Sequence, residues 1–206
     1  MPKSRRAVAW FIDFALVVTA AVLLAMLTFN RVSTLVADVP ELATSSGWEL
    51  VTSRGDVIDA SQGLGLSLWN KTVLYVEQAF LALAAVTFLY QWACLALLGR
   101  TLGKALTGLK VQAAGKGRVA LRAAVTTAAD VVVYALACVL LIEGQFLLSV
   151  VVWAAAVALF FLNAVPVLSP TGRSLADRIA GTTVTSALGF SRPAAMPPAR
   201  TSWPSS

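Results

Sequence analysis

The stretch AVAWFIDFALVVTAAVLLAMLTF, Ala7–Phe29, is apolar almost throughout and carries one charged side chain, Asp13. A helix needs roughly 20 such residues to cross the hydrocarbon core of a bilayer. Three more runs of this kind follow at Thr72–Leu98, Ala123–Ile142 and Phe146–Leu168. The chain as a whole is 58% hydrophobic and 13% charged, which excludes an ordinary soluble domain. The sequence therefore predicts an all-α, polytopic integral membrane protein with a four-helix transmembrane bundle.

The first apolar run has a second interpretation, because the basic residues Lys3, Arg5 and Arg6 precede it as they would in a secretory signal peptide. A signal peptide has a shorter apolar region, and Asp13 interrupts this one. We therefore interpret Ala7–Phe29 as the first transmembrane helix.

Basic residues are unevenly distributed among the segments that join these runs. Thirteen of the 16 Lys and Arg residues lie in residues 1–6, in the loop Gly99–Arg122 or after Leu168, whereas the loop Asn30–Lys71 has three together with five acids. Segments rich in Lys and Arg remain in the cytoplasm. An even number of spans also returns the chain to its starting side. We predict that both termini and residues 99–122 are cytoplasmic and that residues 30–71 are external.

Two of these loops contain patterns typical of β-hairpins. In the external loop, Trp48–Thr52 and Val57–Ile58 flank a turn-forming segment, which predicts a hairpin within a small external cap. In the basic loop, two short extended pieces flank Gly115–Gly117, which predicts a cytoplasmic β-hairpin over Lys110–Val119.

The segment after the fourth run divides into two parts. Within the cytoplasmic segment 169–190, Ser174–Ile179 is predicted to form a short amphipathic helix at the membrane surface that ends near Gly181. Residues 191–206 are rich in proline and serine. This tail is predicted to be disordered.

Carboxylates inside the apolar runs are candidate functional groups, because ionisable side chains are costly in a membrane. Asp13 and Asp130 lie on the order of 10–12 Å inside the cytoplasmic ends of their helices, at about 1.5 Å per residue. Arg6, Ala9 and Asp13 share one helical face, where the small Ala9 lets another helix approach closely. We expect Asp13 in the bundle interior beside the third helix, either as a structural hydrogen-bonding group or as a carrier of a proton or cation.

The basic loop begins with a glycine-rich segment, Gly99–Val111, that carries an apolar stripe and three cations. It lacks the spacing of a nucleotide-binding P-loop. We expect Arg100, Lys104 and Lys110 to contact anionic lipid headgroups of the bilayer.

Three motifs occur in a specific order around the spans. They are Arg6, Ala9 and Asp13; GRTLGK at 99–104 followed by GLKV at 108–111; and ADRIAGT at 176–182. Together they resemble the RDD family of small bacterial membrane proteins, which is named for an arginine and two aspartates. The resemblance runs from Arg5 to Val184. It implies a multi-pass protein of the bacterial cell (inner) membrane in which Arg6 and Asp13 are the first two named residues and Asp177 or Asp130 is the third.

Two classes of function remain open. We expect a scaffold or accessory subunit that binds other membrane proteins or copies of itself. The alternative is a transporter of small solutes, cations or protons, which would have to oligomerise because four helices enclose little room. No nucleophile–base pair, cofactor motif or metal-ligand cluster is visible, and the chain has no histidine. We therefore expect no enzyme, cofactor, metal site or nucleic-acid partner.

The predicted orientation is testable by cysteine labelling in a background without Cys94 and Cys138. A cysteine near Gly55 should react with a membrane-impermeant reagent on intact cells, because the external loop faces outward. A cysteine near Gly115 should react only after the membrane has been opened. The reverse pattern would reject the orientation.

Overall fold

The computed structural model describes residues 3–37, 57–112, 115–164 and 174–186. Helices dominate these segments, and the last turn of the second span and the middle of the third are π-helical, at Cys94–Leu98 and Ala128–Val132. The elements follow one another in the order α1 (Lys3–Ala37), α2 (Val57–Ala93), α3 (Leu102–Leu106), β1 (Leu109–Gln112), α4 (Lys116–Thr127), α5 (Val133–Ile142), α6 (Phe146–Ala164), α7 (Leu175–Ala180) and β2 (Thr183–Ser186).

Four helical stretches in the described residues are long and apolar enough to cross a membrane. They are Ser4–Ala37, Gly65–Leu98, Lys116–Ile142 and Phe146–Ala164. They overlap the four runs that the sequence predicts, and the first three extend beyond those runs. An established helix extends at the gain of one hydrogen bond per residue, so a helical segment need not stop where its apolar residues do.

The predicted loop Asn30–Lys71 is therefore helical at both of its ends, through Ala37 and from Val57. The predicted external hairpin is wrong at Val57–Ile58, which lie in α2. The remainder of that hairpin, and the predicted disordered tail 191–206, lie outside the described residues.

The third and fourth spans form a tight antiparallel pair. Gly144 makes the turn between them with a φ of +77°, a backbone conformation that residues other than glycine rarely adopt. The side chains of Ala137 and Ala156 are fully buried, and Ser149 Oγ donates to the Ala137 carbonyl at 2.8 Å. Small residues thus let these two helices approach closely.

An aromatic cluster joins the first span to the last two. The rings of Trp10 and Phe14 in α1 lie 5.6 and 5.8 Å from that of Phe160 in α6, and Tyr134 in α5 lies 6.4 Å from Phe160. Ring contacts at these distances add to the burial of apolar area. The cluster therefore packs α1 against the end of the α5–α6 pair.

The short elements α3, β1, α7 and β2 form a layer at the end of the bundle where α1 begins, called the basal layer below. Its two strands pair antiparallel, with Leu109 opposite Ser186 and Val111 opposite Val184. Val111 packs with Leu95 and Val119 in a small apolar core that Val184 also contacts. The basal layer thus connects the loop after the second span to the segment after the fourth.

The predicted cytoplasmic hairpin over Lys110–Val119 is wrong, because its first strand pairs with a different segment of the chain. Its first extended piece is β1, but β1 pairs with the distant β2, and a helix starts at Lys116. The buried residues of this helix include Val119, Arg122 and Ala123. Their spacing follows the helical period rather than the alternation of a strand.

Gly103 sets how closely α3 packs on α1. A Cβ at this position would lie 2.1 Å from the Ala9 carbonyl oxygen and 3.0 Å from Asp13 Cγ. Ala9 itself is 2% exposed. The close helix approach predicted at Ala9 therefore occurs, and α3 is the helix that approaches.

Gly103→Ala tests this contact. The added methyl group should push α3 off α1 and lower the free energy of unfolding by about 1–3 kcal/mol, as overpacked sites do. Thermal unfolding of detergent-extracted protein measures the change. Gly117→Ala is the control, because its Cβ would meet no atom within 4 Å. Equal stability of Gly103→Ala and wild type would refute the tight packing.

Candidate functional site

A polar cavity of about 80 Å³ lies where the first turns of α1 meet the basal layer. Three basic and three acidic side chains line it, so its formal charges balance. The lining residues are Arg6, Trp10, Asp13, Phe14, Val17, Gln91, Thr101, Lys104, Leu109, Arg122, Thr126, Asp130, Asn163, Ser174, Asp177 and Val184. The four candidate functional residues of the sequence, Arg6, Asp13, Asp130 and Asp177, therefore converge on one site.

Asp13 binds three donors at one edge of this cavity. Its Oδ1 accepts from Tyr90 Oη at 3.0 Å and from the Gly103 amide at 2.9 Å, and its Oδ2 accepts from Thr101 Oγ1 at 2.5 Å. The Tyr90 hydroxyl accepts in turn from the Leu102 amide at 3.1 Å. The prediction of an interior, hydrogen-bonded Asp13 agrees with these contacts, but the partners come from the second span and α3 rather than from the third helix.

These bonds satisfy the start of a helix. The first amides of any helix lack partners within it, and here Leu102 and Gly103 occupy those positions in α3. The side chain of Thr101, the residue before α3, makes no cap to its own helix, and its hydroxyl donates to Asp13 instead. Asp13 therefore caps α3 from a different helix and attaches it to α1.

Asp177 is the second charged centre and is buried. It forms a capping box with Ser174 at the start of α7, accepts from Thr182 Oγ1 at 2.8 Å, and forms an ion pair with the buried Arg122 of α4. The reciprocal bonds of a capping box satisfy amides at the helix start. Asp177 thus holds α7 in shape and ties it to the third span.

Arg6 connects the beginning of the chain to its last described strand. Its guanidinium donates to the Val184 carbonyl in β2 at 3.2 Å. Arg6 and Asp13 therefore anchor one face of α1 to two different parts of the basal layer, Arg6 to β2 and Asp13 to α3.

Asp130 has fewer partners than the other two aspartates. It lies in the π-helical turn of the third span, where Asn163 Nδ2 donates to its Oδ1 at 3.3 Å. The side-chain oxygen Oδ1 of Asn163 accepts from the Ala176 amide at 3.4 Å. Asn163 therefore links Asp130 to α7 across the cavity.

Lys104 is placed differently from the predicted headgroup contact. Leu102 and Leu106 share the exposed face of α3, and Lys104, two residues from each, lines the cavity on the other side. Removal from water and the nearby Arg122 lower the pKa of Lys104 from its usual 10.5 to about 8, while Asp13 and Asp177 oppose this change. The other two predicted headgroup contacts, Arg100 and Lys110, are exposed.

Sequence reasoning missed several partners of these carboxylates. From the second span, Tyr90 donates a hydrogen bond to Asp13 and Gln91 lines the cavity. From the fourth span, Asn163 lines the cavity and donates to Asp130. A polar residue in an apolar run was the available signal, since such groups face the bundle interior. From the sequence, Arg122 contributed only to the predicted orientation of the chain in the membrane. Its ion pair was not predicted, because the partner Asp177 is 55 residues away in the sequence.

The geometry favours structural use of the two best-bonded carboxylates. Within the described ranges, no group of three or more His, Cys, Asp or Glu residues could hold a metal ion. Of the charged side chains that line the cavity in the described residues, Asp130 and Lys104 make the fewest bonds.

The fold and the site together define an α-helical membrane protein with a charge-balanced polar cavity at one end of its helices. A family model described as RDD family matches residues 2–181, and the chain belongs to that family. This confirms the resemblance seen in the motifs. In the same comparisons, no curated protein and no solved structure matches the chain.

Substitutions at Asp13 test its capping role. Asp13→Asn keeps an oxygen for Tyr90 and Gly103, and its amide can donate to the Thr101 hydroxyl, so stability should stay near that of wild type. Asp13→Ala leaves buried donors unpaired and should lower the free energy of unfolding by roughly 1–3 kcal/mol. Thermal unfolding in detergent compares the two. An equal loss in both variants would show that the charge itself is required.

Proposed function

We propose that this protein is a scaffold or accessory subunit of a membrane complex. In this proposal it crosses the bacterial inner membrane four times, as a multi-pass protein with both chain ends in the cytoplasm. The distribution of Lys and Arg among the loops supports the orientation. The use of the charged side chains in the cavity supports the role.

The hydrogen bonds of the Asp13 and Asp177 carboxylates are the main support for this proposal. Asp13 accepts hydrogen bonds from three groups, and Asp177 accepts from four donor atoms, on Arg122, Thr182 and Ser174. A carboxylate that carries a proton or cation must exchange its partners in every cycle. The bonds of Asp13 and the ion pair of Asp177 with Arg122 instead join segments that lie far apart in the chain, which suits a rigid platform.

The cavity is also too small for a solute pathway through one chain. Its volume of about 80 Å³ holds a few water molecules. The aromatic rings of Trp10 and Phe14 form part of its wall and pack on Phe160. The cavity therefore gives way to packed apolar side chains on the side of the bundle interior.

Charged residues are missing from most of the membrane-spanning length. Apart from Asp13 and Asp130, the four predicted apolar runs contain one Asp, Glu, Lys or Arg, which is Glu77. Glu77 is 13 residues from Tyr90 in α2, a separation of about 20 Å along a helix. A proton relay in one chain would have to cross this interval without an acidic or basic side chain.

The first span offers a surface for a partner. It is the least buried of the four membrane-length helices, and its large side chains Leu23 and Leu27, one turn apart, are more than half exposed. Within a membrane, close side-chain packing rather than water exclusion drives helix association. We propose that this face of α1 packs against another membrane protein or a second copy of the chain.

Mild extraction of the tagged protein tests the scaffold role. We expect a stoichiometric partner that is lost when Leu23 and Leu27 are both replaced by alanine. The control variant carries Leu147→Ala and Val151→Ala, which remove two exposed side chains at the same spacing from α6. The control should retain the partner. A wild-type chain that is extracted alone, or a partner lost equally in both variants, would contradict the proposal.

A transporter of cations or protons is the second candidate, and Asp130 is the observation in its favour. This carboxylate combines a single hydrogen bond from a side chain with a π-helical turn, a feature frequent at functional sites. In proteoliposomes we expect no cation- or pH-driven flux from the wild type. Flux in the wild type that disappears in a folded Asp130→Asn variant would replace the scaffold by the transporter.

A further inference from the structure

A second concave surface lies outside the charged cavity, between the start of α1 and the loop that contains α3. It offers about 660 Å³ of open space, and Ser4, Arg5, Val8, Arg100, Leu106 and Thr107 form most of its wall. It is called the arginine groove below. None of its lining residues takes part in the Asp13 or Asp177 networks described above.

The charge of the arginine groove is entirely positive. Arg5 and Arg100 are exposed, and neither makes a hydrogen bond or ion pair with another described residue. No acidic residue lines the groove. Asp13, the acid nearest to Arg5 in the sequence, binds donors in the interior. A ligand of this groove must therefore be an anion, and two guanidinium groups suit the oxygens of a phosphate.

The apolar part of the groove indicates where this anion comes from. Leu106 is 75% exposed at its rim, and Val8 is 50% exposed in its wall. Phe11, three residues beyond Val8 on the same side of α1, is also exposed and lies in the apolar run. An anion at the arginines would thus sit beside an apolar path that leads into the membrane-spanning part of α1. A soluble phosphate would leave that path unused, whereas a lipid acyl chain would follow it.

We propose that the arginine groove binds the phosphodiester headgroup of an anionic phospholipid, with one acyl chain along Val8 and Phe11. In this proposal Arg5 and Arg100 contact the lipid headgroup. The sequence predicted that contact for Arg100, Lys104 and Lys110. This inference is independent of the scaffold role, because the lipid would bind whether or not a partner occupies α1.

Native mass spectrometry of the purified full chain, titrated with dioleoylphosphatidylglycerol, tests the proposal. The variant Arg5→Gln with Arg100→Gln should bind this lipid roughly thirtyfold more weakly, since each basic residue near an anionic surface contributes about fivefold. Dioleoylphosphatidylcholine should bind wild type and variant equally weakly. Arg5→Lys with Arg100→Lys keeps the charge without the planar fork and should bind with intermediate affinity.

The matched control removes two positive charges from exposed positions outside the groove, through Lys116→Gln with Arg178→Gln. It should bind the anionic lipid as the wild type does, and thermal unfolding should show all variants folded. An equal loss in the control would mean diffuse attraction and overturn the site. Displacement of the lipid by millimolar inorganic phosphate would indicate a soluble-anion site, and equal binding of both lipids would also refute the proposal.

Discussion

The three hydrogen bonds that Asp13 accepts join α1 to α2 and to the start of α3, and the arrangement of the basal layer depends on them. The carboxylate reaches the first turn of a five-residue helix, α3, which is too short to be stable by itself. Its amides at Leu102 and Gly103 find partners in Asp13 and in Tyr90. Near a membrane, where water is scarce, unpaired backbone groups are expensive. Once α3 is attached, β1 follows it directly and reaches the position where β2 can pair.

The ion pair of Asp177 and Arg122 has a complementary role on the other side of the cavity. Burying two charges is costly, and their attraction compensates only when further hydrogen bonds complete the site. Thr182 and Ser174 provide those bonds. Removing either charge would leave the other buried and alone, so the pair holds α7 against α4 in a single arrangement. In this way Asp13 and Asp177 anchor segments that lie far apart in the chain.

The concentration of charge at one end gives the protein two distinct regions. The cavity beside the basal layer is polar and its formal charges balance, whereas the long helices expose many large apolar side chains. This division suits a protein that presents helix faces to lipid or to other membrane proteins while its polar end keeps the helices in register. The arginine groove lies at the junction of the two regions, where an anionic lipid would contact both.

The sequence by itself determined the class of the protein and the identity of the charged residues. Four apolar runs predict four membrane-length helices because burying backbone in lipid requires a helix. Motifs around Arg6, Asp13 and Asp177 identified the family. The short helix that begins near Ser174 and ends near Gly181 was also predicted, because it depends on neighbours within a few residues.

Only the tertiary structure decided which groups those residues bind. The predicted hairpin at Gly115–Gly117 failed because β1 gains its partner from β2, which is separated from it in sequence by two membrane-length helices. Asp13 binds Tyr90, Thr101 and Gly103 rather than a group of the third helix. The reason is that Gly103 lets the short helix α3 pack closely against α1, where the sequence predicted contact with the third transmembrane helix. Lys104 turned inward because Leu102 and Leu106 occupy the outer face of the same short helix. Local patterns fix periodicity and caps, whereas these pairings depend on contacts between residues distant in sequence, which periodicity does not encode.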